Sequence, residues 1–532
     1  MSLMRLRRIL VVSIIVSLLL VVSHATPSAL NFAKYQNDPS KHSQLVISSQ
    51  VIEETTLLVS EWVIVEAGME LIIDNSTIVF IEDDLAIIVQ DGGILSIQDS
   101  QLYSYPSCSW WISAESGAQL VIEGSTLTGS GTNTHGGINV GCDNAVIDGC
   151  NISEFGGDGI NIGDCTEVRN QNNIVTSCSW DNIKFARTSD LIISGNQISD
   201  SGYCGIYGTA SEDVIIRRNN ISSTMYSGIC LDRTELTEVV SNCISETRLS
   251  SFSIEYCNNI TVMNNTVPSS YGSGISSIWS TQLFIAYNDI RETVYDGISI
   301  MTHSDRVVVV GNNLHEIHSC GLISDSSSNL LVCGNLMEGV HLYGIYGIQD
   351  SENITALVNT FLDCGGGLKF IDATGIVAIG NWVNGSQSND VNTKNSVGTI
   401  YMNAFCSTGI QIGDTTSSSI DWYNTTMGNS WMAYTGKDED QNGIGDSPYE
   451  VSYEYQDNYP LTSFDPIHDF RSSFNISAYF WIPIDENTND TTSGSSTNAL
   501  DSQIETLLIF NSSIQILCVG VLLIVLKRNY ST

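Results

Sequence analysis

The sequence predicts an all-β solenoid in which parallel strands stack in about fourteen coils of about 23 residues each. Three observations support this fold class: a motif that returns every 22 to 24 residues, alternation of apolar and polar residues within it, and an asparagine that recurs at one position. Alternation with period 2 is typical of β-strands. A repeat of about 23 residues is also too short for two helices and a turn.

Each repeat begins at a Gly-Ile step and reads G-I-x-I, V-x-I and N-x-I, which are three short strands separated by polar corners. Clear repeats begin at Gly137, Gly159, Gly205, Gly274, Gly297 and Gly344, and weaker ones at Asn182, Gly228, Ser251, Gly321 and Gly367. A looser pattern follows Gly68, Gly93 and Gly117. The coils are therefore predicted over residues 46–405.

Two positions of the repeat are expected to form rows at the inter-strand spacing of about 4.8 Å. The apolar row fills the core and comprises Ile138, Ile160, Ile183, Ile206, Ile229, Phe252, Ile275, Ile298, Leu322, Ile345 and Leu368. The polar row comprises Asn173, Asn196, Asn219, Asn242, Asn265, Asn288, Asn312, Asn335, Asn359 and Asn381. Asparagine can hydrogen-bond along the stack and tolerates left-handed backbone at a tight corner.

This pattern resembles that of the right-handed parallel β-helix proteins, over most of the chain. That architecture hosts lyases, hydrolases, epimerases, adhesins and structural proteins, so it implies a fold and not a function. The C-terminal segments IYMNAF (400–405), GNSWMAYTGKDEDQNGIGDSPYEV (428–451) and QDNYPL (456–461) are similar to the terminal signature of NosD-like β-helix proteins, often archaeal surface proteins. Ser430 before Trp431 departs slightly from the family pattern. The resemblance implies carbohydrate binding, sugar hydrolysis or copper-site maturation as possible roles.

The two ends of the chain predict an exterior protein on a membrane tether. Residues 1–25 read as a signal peptide, with three arginines before an apolar run; a retained signal anchor is the alternative. Residues 506–526 are long enough to span a bilayer as a helix, and the basic tail 527–532 is expected in the cytoplasm. Between them lie an N-terminal lead-in (26–45), the coils, a C-terminal cap module (406–482) and a flexible stalk (483–505).

Charge and cysteine content fit that location. Five of the 20 basic residues lie in the signal and the tail, which leaves 15 against 58 acids, about 43 net negative charges. Such a surface repels nucleic acid, so no nucleic-acid partner is expected, and it suits calcium. N-x-S/T sequences offer glycosylation acceptors at Asn75, Asn151, Asn220, Asn353, Asn424 and Asn475, among others.

The loop after the coils has the residue spacing of a calcium site. Asp438, Asp440, Asn442, Ile444 and Asp446 occupy positions 1, 3, 5, 7 and 9 of an EF-hand-like loop, with glycine at position 6. Position 12 is tyrosine instead of the bidentate glutamate. An acidic, glycine-rich turn without an ion is the alternative.

A row of aromatic residues precedes the Gly-Ile steps. Trp180, Tyr203, Tyr226, Tyr271 and Tyr295 occupy nearly one position and predict a ladder on which sugars stack. The alternative is a structural stack that covers the loop edge.

Candidate catalytic carboxylates are few. Asp232 and Glu255 share the fifth position of adjacent coils, about 5 Å apart, and retaining glycosidases use carboxylates at such a separation. Two solvated surface acids are the alternative. The acid sets of polygalacturonases and the calcium acids of lyases are not recognisable in matching coils.

Histidines and cysteines offer two further hypotheses. His315, His318 and His341 lie in adjacent coils and suggest a copper or zinc site, with local hydrogen bonding as the alternative. Cys142 and Cys165 also fall in adjacent coils, as a disulfide or as stacked buried thiols.

From the sequence we expect a membrane-anchored extracellular β-helix that binds a polysaccharide or surface glycoconjugate without catalysis. A polysaccharide hydrolase or lyase is the first alternative, and copper binding or metal delivery is the second. Calcium is the expected ion, and copper or zinc is not expected.

Overall fold

The structure is a computed structural model that describes residues 44–130, 136–452 and 455–474. These residues form a parallel β-solenoid in which each coil adds one strand to each of three sheets. Each sheet has seventeen strands, one from each coil, so these residues form seventeen coils instead of the fourteen or so predicted. Sixteen of the coils lie within the predicted range, and residues 410–431 supply the last.

The strands are numbered in chain order. The first sheet contains β1 (Gln44–Ile47), β4 (Trp62–Val65), β7 (Leu85–Val89), β10 (Trp110–Ala114), β13 (Ile138–Val140), β16 (Ile160–Gly163), β19 (Ile183–Ala186), β22 (Ile206–Thr209), β25 (Ile229–Asp232), β28 (Phe252–Glu255), β31 (Ile275–Ile278), β34 (Ile298–Met301), β37 (Leu322–Asp325), β40 (Tyr343–Ile348), β43 (Gly366–Ile371), β46 (Asn389–Lys394) and β49 (Ile410–Ile412).

The second sheet contains β2 (Gln50–Glu53), β5 (Glu70–Asp74), β8 (Ile94–Gln98), β11 (Gln119–Glu123), β14 (Val146–Asp148), β17 (Arg169–Gln171), β20 (Leu191–Ser194), β23 (Glu212–Arg217), β26 (Glu235–Val240), β29 (Asn258–Met263), β32 (Thr281–Ala286), β35 (Asp305–Val310), β38 (Ser328–Cys333), β41 (Glu352–Leu357), β44 (Ile376–Ile379), β47 (Val397–Tyr401) and β50 (Ser419–Asp421).

The third sheet contains β3 (Thr56–Val59), β6 (Thr77–Phe80), β9 (Gln101–Ser104), β12 (Thr126–Thr128), β15 (Asn151–Ser153), β18 (Ile174–Thr176), β21 (Gln197–Ser199), β24 (Asn220–Ser222), β27 (Cys243–Thr247), β30 (Thr266–Ser270), β33 (Asp289–Arg291), β36 (Asn313–His315), β39 (Leu336–Glu338), β42 (Thr360–Leu362), β45 (Trp382–Asn384), β48 (Ala404–Phe405) and β51 (Ser430–Trp431). Beyond the coils lie an antiparallel pair, β52 (Tyr449–Glu450) and β53 (Gln456–Asp457), and one helix, α1 (Asp465–Ser473).

The predicted apolar row is confirmed. Its members are Cα partners from coil to coil, beginning with Ile138 opposite Ile160 and ending with Ile345 opposite Leu368. Each is at most 1% exposed. The side chains of one strand position therefore stack into a continuous core, which is where most of the folding free energy of a solenoid originates.

The asparagine row forms a hydrogen-bonded ladder. From Asn196 onward each Nδ2 donates to Oδ1 of the next asparagine at 2.8–3.0 Å, and the backbone N–H donates to the same oxygen. The ladder continues past the predicted members to Asn403 and Asn429. The expected left-handed backbone falls one residue earlier, for example at Arg218 (φ 55°), which frees the asparagine amide for the ladder.

Helix α1 packs on the outward face of the second sheet, where Ile467 and Phe470 join a second apolar cluster. Arg471 donates to the carbonyls of Asn359 (2.9 Å) and Gly380 (2.7 Å), and burial lowers the pKa of Arg471 to about 10. Among the described residues, no helix has the length and apolarity needed to cross a membrane. The predicted signal peptide, stalk, membrane span and tail lie outside the described residues.

Candidate functional site: the outward face of the first sheet

The outward face of the first sheet carries a strip of polar side chains. Lys184, Tyr207 and Cys230 are Cα partners in successive coils, followed by Ser253 and Ser276. Each stands between two core residues, and alternate residues of a strand point to opposite faces. All five are half-buried, and we call this strip the polar floor of the face.

One edge of this face carries the predicted aromatic residues. The N–H of Tyr203 donates to the carbonyl of Trp180 (3.2 Å), and the N–H of Tyr226 donates to that of Tyr203 (3.1 Å). The rings of Tyr203 and Tyr226 stack with centroids 5.3 Å apart at 25°. Both side chains are exposed, by 48% and 43%, so the ring surfaces that do not stack on each other are accessible to a ligand. We call Trp180, Tyr203, Tyr226 and Tyr295 the first aromatic row.

The first aromatic row is interrupted, and Tyr271 lies outside it. Backbone hydrogen bonds place Leu249 and Gly272 in the two coils between Tyr226 and Tyr295. Tyr271 is one residue earlier, and its N–H donates to the carbonyl of Thr247 (3.0 Å). The difference arises because Tyr271 stands three residues before the first residue of its repeat, whereas the others stand two residues before the first residue of theirs.

A second aromatic row, not predicted from the sequence, lies at the other edge of the face. Tyr256, Trp279 and His303 occupy the corner where strands of the first sheet end, with φ between 54° and 59°. Tyr256 and Trp279 lie nearly parallel at 9° with centroids 6.4 Å apart, and Trp279 and His303 are 4.5 Å apart. The guanidinium of Arg233 lies 5.4 Å from the centre of the Tyr256 ring. The sequence signal was present, because Arg233, Tyr256 and Trp279 all hold the sixth position of their repeats.

The structure also assembles an acid–base cluster that the sequence did not reveal. Asp158 and Asp181 stand two residues before β16 and β19, in adjacent coils, and Asp158 Oδ1 accepts the N–H of Asp181 (3.1 Å). Asp181 Oδ1 accepts the N–H of Cys204 (2.8 Å), and Lys184 Nζ lies 3.5 Å from Asp158 Oδ2. Burial, and then the charge of Asp158, raise the pKa of Asp181 to about 8. Asp181 therefore holds a proton near neutral pH, as a general acid must.

The predicted carboxylates Asp232 and Glu255 lie at the other edge of the face, where β25 and β28 end. They are Cα partners in β25 and β28, as their common repeat position predicts. Asp232 Oδ2 lies 2.7 Å from Arg233 Nη1 and accepts from Thr209 Oγ1 (3.3 Å). Glu255 Oε1 accepts from Ser253 Oγ (3.1 Å). Both carboxylates are thus held by neighbouring side chains.

Family models match most of the coils and the start of the C-terminal segment 428–451. The right-handed β-helix region matches residues 62–199, 111–253 and 159–314, and the periplasmic copper-binding protein (NosD) model matches residues 268–436. The chain belongs to the NosD-like right-handed β-helix family. No curated protein matches this NosD-like sequence.

Solved structures similar to this NosD-like chain are distant in sequence. The mannuronan C-5 epimerase AlgE6 A-module of Azotobacter vinelandii is 13% identical over 70% of this chain and 92% of that chain, with a TM-score of 0.41. The catalytic unit of the GH87 α-1,3-glucanase of Streptomyces thermodiastaticus is 13% identical over 69% and 63%, with a TM-score of 0.30. The tailspike of E. coli bacteriophage HK620, bound to a pentasaccharide, is 10% identical over 64% and 72%, with a TM-score of 0.41. These likenesses concern the fold alone.

The histidines of the NosD-like chain do not fit the copper site that the family description implies. His315 Nδ1 lies 3.5 Å from Glu338 Oε2, whereas His318 and His341 pack edge to face with ring centroids 4.6 Å apart. The Nδ1 of His318 is 3.1 Å from the carbonyl oxygen of Thr293. Over residues 44–130, 136–452 and 455–474, no group of three or more His, Cys, Asp or Glu side chains is arranged to hold a metal ion.

The predicted calcium loop turns its carboxylates toward its own backbone. Asp438 accepts the N–H groups of Asn442 (3.0 Å) and Gly443 (2.8 Å), and Asp446 accepts that of Glu439 (2.6 Å). Asn442 Oδ1 accepts the N–H of Ile444 (2.8 Å). Asp440 joins the same loop through Asn442 Nδ2 (2.9 Å). The oxygens thus converge on one turn, and calcium binding stays a prediction.

Cys142 and Cys165 are free, buried thiols in the structure. The thiol of Cys165 points toward the carbonyl of Val140 at 3.8 Å. Burial raises the pKa of Cys142 to about 11 and that of Cys165 to about 12. Both thiols therefore stay protonated and unreactive at neutral pH.

Proposed function

We propose that this chain is a cell-exterior protein that binds glycans along the outward face of the first sheet without turning them over. The observation that carries the proposal is the pair of aromatic rows at opposite edges of that face. Aromatic rings offer large apolar surfaces on which the apolar faces of sugar rings pack. Aromatic rings along the two edges of a polar floor are suited to a saccharide that runs along it.

The length of the first aromatic row favours a polymer over a single sugar. Trp180 and Tyr295 are five coils apart, which corresponds to about 24 Å at the spacing of parallel strands. Tyr256 and His303 are two coils apart, about 10 Å by the same measure. The floor between the rows offers the hydroxyls of Ser253 and Ser276 as hydrogen-bond partners for sugar hydroxyls.

The surroundings of the predicted carboxylates favour binding of a glycan without its cleavage. Asp232 is paired with Arg233, and Glu255 accepts from Ser253. Each carboxylate is thus engaged by a neighbouring side chain. The exterior location rests on the family and on the acidic composition, and anchoring by residues 506–526 is part of the same proposal.

Trp279→Ala tests the proposal. The full-length chain is titrated against a panel of neutral and acidic polysaccharides, with and without calcium, while binding and released reducing ends are measured together. We expect at least one polysaccharide to bind without release of reducing ends. Trp279→Ala is expected to weaken that binding about tenfold, the loss of one stacked ring.

Tyr103→Ala is the matched control, because Tyr103 is a 40% exposed aromatic residue on the third sheet, away from this face. It should bind as the wild type does. The proposal fails when no polysaccharide binds, or when Trp279→Ala and Tyr103→Ala bind equally well.

A polysaccharide hydrolase is the second candidate, and the acid–base cluster favours it. Burial raises the pKa of Asp181 to about 8, and Asp158 Oδ2 lies 3.5 Å from Lys184 Nζ. Their position in adjacent coils suits a glycosidic bond held at this end of the floor. Release of reducing ends by the wild type, abolished in Asp181→Asn with binding retained, would establish catalysis in place of simple binding.

A further inference from the structure

Two thiols meet on the outward face of the first sheet. Cys204 stands two residues before the strand β22, and Cys230 is an outward residue of β25 in the next coil. Their Sγ atoms are 2.7 Å apart. Non-bonded heavy atoms prefer separations of about 3.5–4.0 Å, whereas a disulfide bond measures about 2.05 Å. The two sulfurs are thus closer than thiols in ordinary contact.

We propose that Cys204 and Cys230 form a disulfide bond in the mature protein. The pair joins neighbouring coils through residues that already share one surface, so the bond needs only a small side-chain movement. A cell-exterior location supplies the oxidising surroundings in which such bonds persist. The inference does not depend on glycan binding.

Other thiols of the described residues are held differently. Cys150, Cys257 and Cys364 each lie at a corner and donate to the main-chain carbonyl two residues earlier, at 3.3, 3.2 and 3.4 Å. They are fully buried within the stack. These thiols replace the serines of neighbouring coils as small buried donors. Cys204 and Cys230 face each other instead.

Cys230 is half-buried, whereas Cys204 is 5% exposed. The hydrogen bond with Cys230 and burial raise the pKa of Cys204 well above its usual range. The more accessible Cys230 is therefore expected to react first.

The oxidation is a thiol–disulfide exchange with an external disulfide, either an oxidoreductase in its disulfide form or oxidised glutathione. The thiolate of Cys230 attacks one sulfur of that disulfide, forms a mixed disulfide and releases the other sulfur as a thiolate. The thiolate of Cys204 then attacks Cys230 Sγ, and the remaining sulfur of the oxidant leaves. The two thiols lose two protons and two electrons, and the electrons reduce the external disulfide to two thiols.

The bond would fix the edge that carries the first aromatic row. Tyr203 immediately precedes Cys204, and the N–H of Cys204 donates to Asp181 Oδ1. Attaching Cys204 to β25 therefore ties this loop to the next coil. The ring of Tyr203 and the carboxyl of Asp181 would be held in place together.

Peptide mapping of the wild-type chain tests the proposal directly. The full chain is incubated with oxidised glutathione, its free thiols are blocked under denaturing conditions, and it is cleaved with trypsin. Cleavage after Arg187, Arg217, Arg218 and Arg233 gives peptides 188–217 and 219–233, each with one cysteine. We expect these peptides to be joined, lighter by two hydrogens than their sum, and separated by reductant. Recovery of the two peptides apart, each with a blocked thiol, would overturn the proposal.

Serine variants give a second, independent measurement. A reductant should lower the melting temperature of the wild type by roughly 3 °C, because the unfolded chain loses a cross-link. Cys204→Ser and Cys230→Ser should show no response to reductant. Cys257→Ser is the matched control, since its N–H donates to a serine hydroxyl at the same corner of the next coil, and it should respond as the wild type does. An equal response of the wild type and Cys204→Ser also contradicts the proposal.

Discussion

Asp457 closes the asparagine ladder: its Oδ2 accepts the N–H of Asn429, the last ladder residue, at 2.7 Å. The same oxygen accepts the indole N–H of Trp431 at 2.9 Å, and Asp457 is fully buried. This carboxylate therefore joins two segments, GNSW and QDNYPL, that resemble the terminal signature of the family. A carboxylate suits the position because it accepts several N–H groups, where another asparagine would add donors.

The stability of the protein should depend on pH through Asp457. Burial raises the pKa of Asp457 to about 6, above the value of about 3.9 in an unfolded chain. Because the folded state binds this proton more tightly, the contribution of Asp457 to stability is present below pH 4 and is lost as pH rises to about 6. The loss amounts to at most about 3 kcal/mol. Asp457→Asn should remove this dependence, as measured by denaturant unfolding between pH 4 and 7.

Asp465→Asn is the control for that measurement, because Asp465 is an exposed carboxylate at the start of α1. Its stability profile should run parallel to that of the wild type. If the stability profile of Asp457→Asn also ran parallel to that of the wild type, Asp457 would not be the source of the pH dependence.

The ladder itself can be tested at two consecutive asparagines. Asn219 is buried and accepts from the backbone N–H and Nδ2 of Asn196, whereas Asn220 is exposed. Asn219→Ala leaves those donors without an acceptor and should reduce the free energy of unfolding by about 3 kcal/mol. Asn220→Ala should change it by less than about 0.5 kcal/mol. Both are measured on protein made without glycosylation, and equal losses would show that the ladder contributes little.

The acid–base cluster predicts a second pH dependence, at higher pH. Since the pKa of Asp181 is raised from 3.8 to about 8, its ionisation opposes folding, and this contribution to stability is lost as pH rises from about 4 to about 8. Asp181→Asn keeps an acceptor for the N–H of Cys204 and removes the titration. Its melting temperature should therefore vary less between pH 5 and 8 than that of the wild type.

Asp164→Asn is the matched control, in the same repeat as Asp181. In the wild type, the hydrogen bond from Arg187 lowers the pKa of Asp164. The contribution of Asp164 to stability is therefore lost only as pH falls below the usual carboxyl range. Between pH 5 and 8 this variant should follow the wild type. Indistinguishable profiles for both variants would exclude Asp181 as the titrating group.

Calcium is expected to stabilise the loop that follows the coils. Bound at a hundred times its dissociation constant, the ion would add about 2.7 kcal/mol to the free energy of unfolding. Asp438→Ala combined with Asp440→Ala should abolish the rise in melting temperature that calcium causes. Glu439→Ala, at an exposed position between them, should retain it. No effect of calcium on the wild type would leave the loop as an acidic turn without an ion.

Much of the fold followed from the sequence because a solenoid repeats its local pattern. Ile138 and Ile160 are 22 residues apart, and each coil buries the same position against its neighbours. Asn219 and Asn242 form ladder bonds for the same reason. Strand alternation and one repeat length were therefore sufficient to predict both rows and their register.

The arrangement of side chains around the face depended on the tertiary structure. The sequence placed Tyr271 in the aromatic row, but a shift of one residue moves a side chain to a different direction. The sequence-based prediction did not include the stacking of Trp279 on Tyr256 or the hydrogen bond between Asp158 and Asp181, although each pair shares a repeat position. Which side chains stack or become buried depends on the backbone conformation at the corners between strands, and the repeat pattern does not specify that conformation.

By itself, the sequence determined the three-stranded coil, the apolar and asparagine rows, and the resemblance that the family match confirms. Only the tertiary structure decided that two aromatic rows flank one face, that a buried carboxyl keeps its proton there, and that Cys204 meets Cys230. The physical reason is that core rows are fixed by burial at a constant repeat, a property of the local pattern. Contacts on the surface are fixed by the direction of each side chain at a corner, which exists only after the coils have stacked.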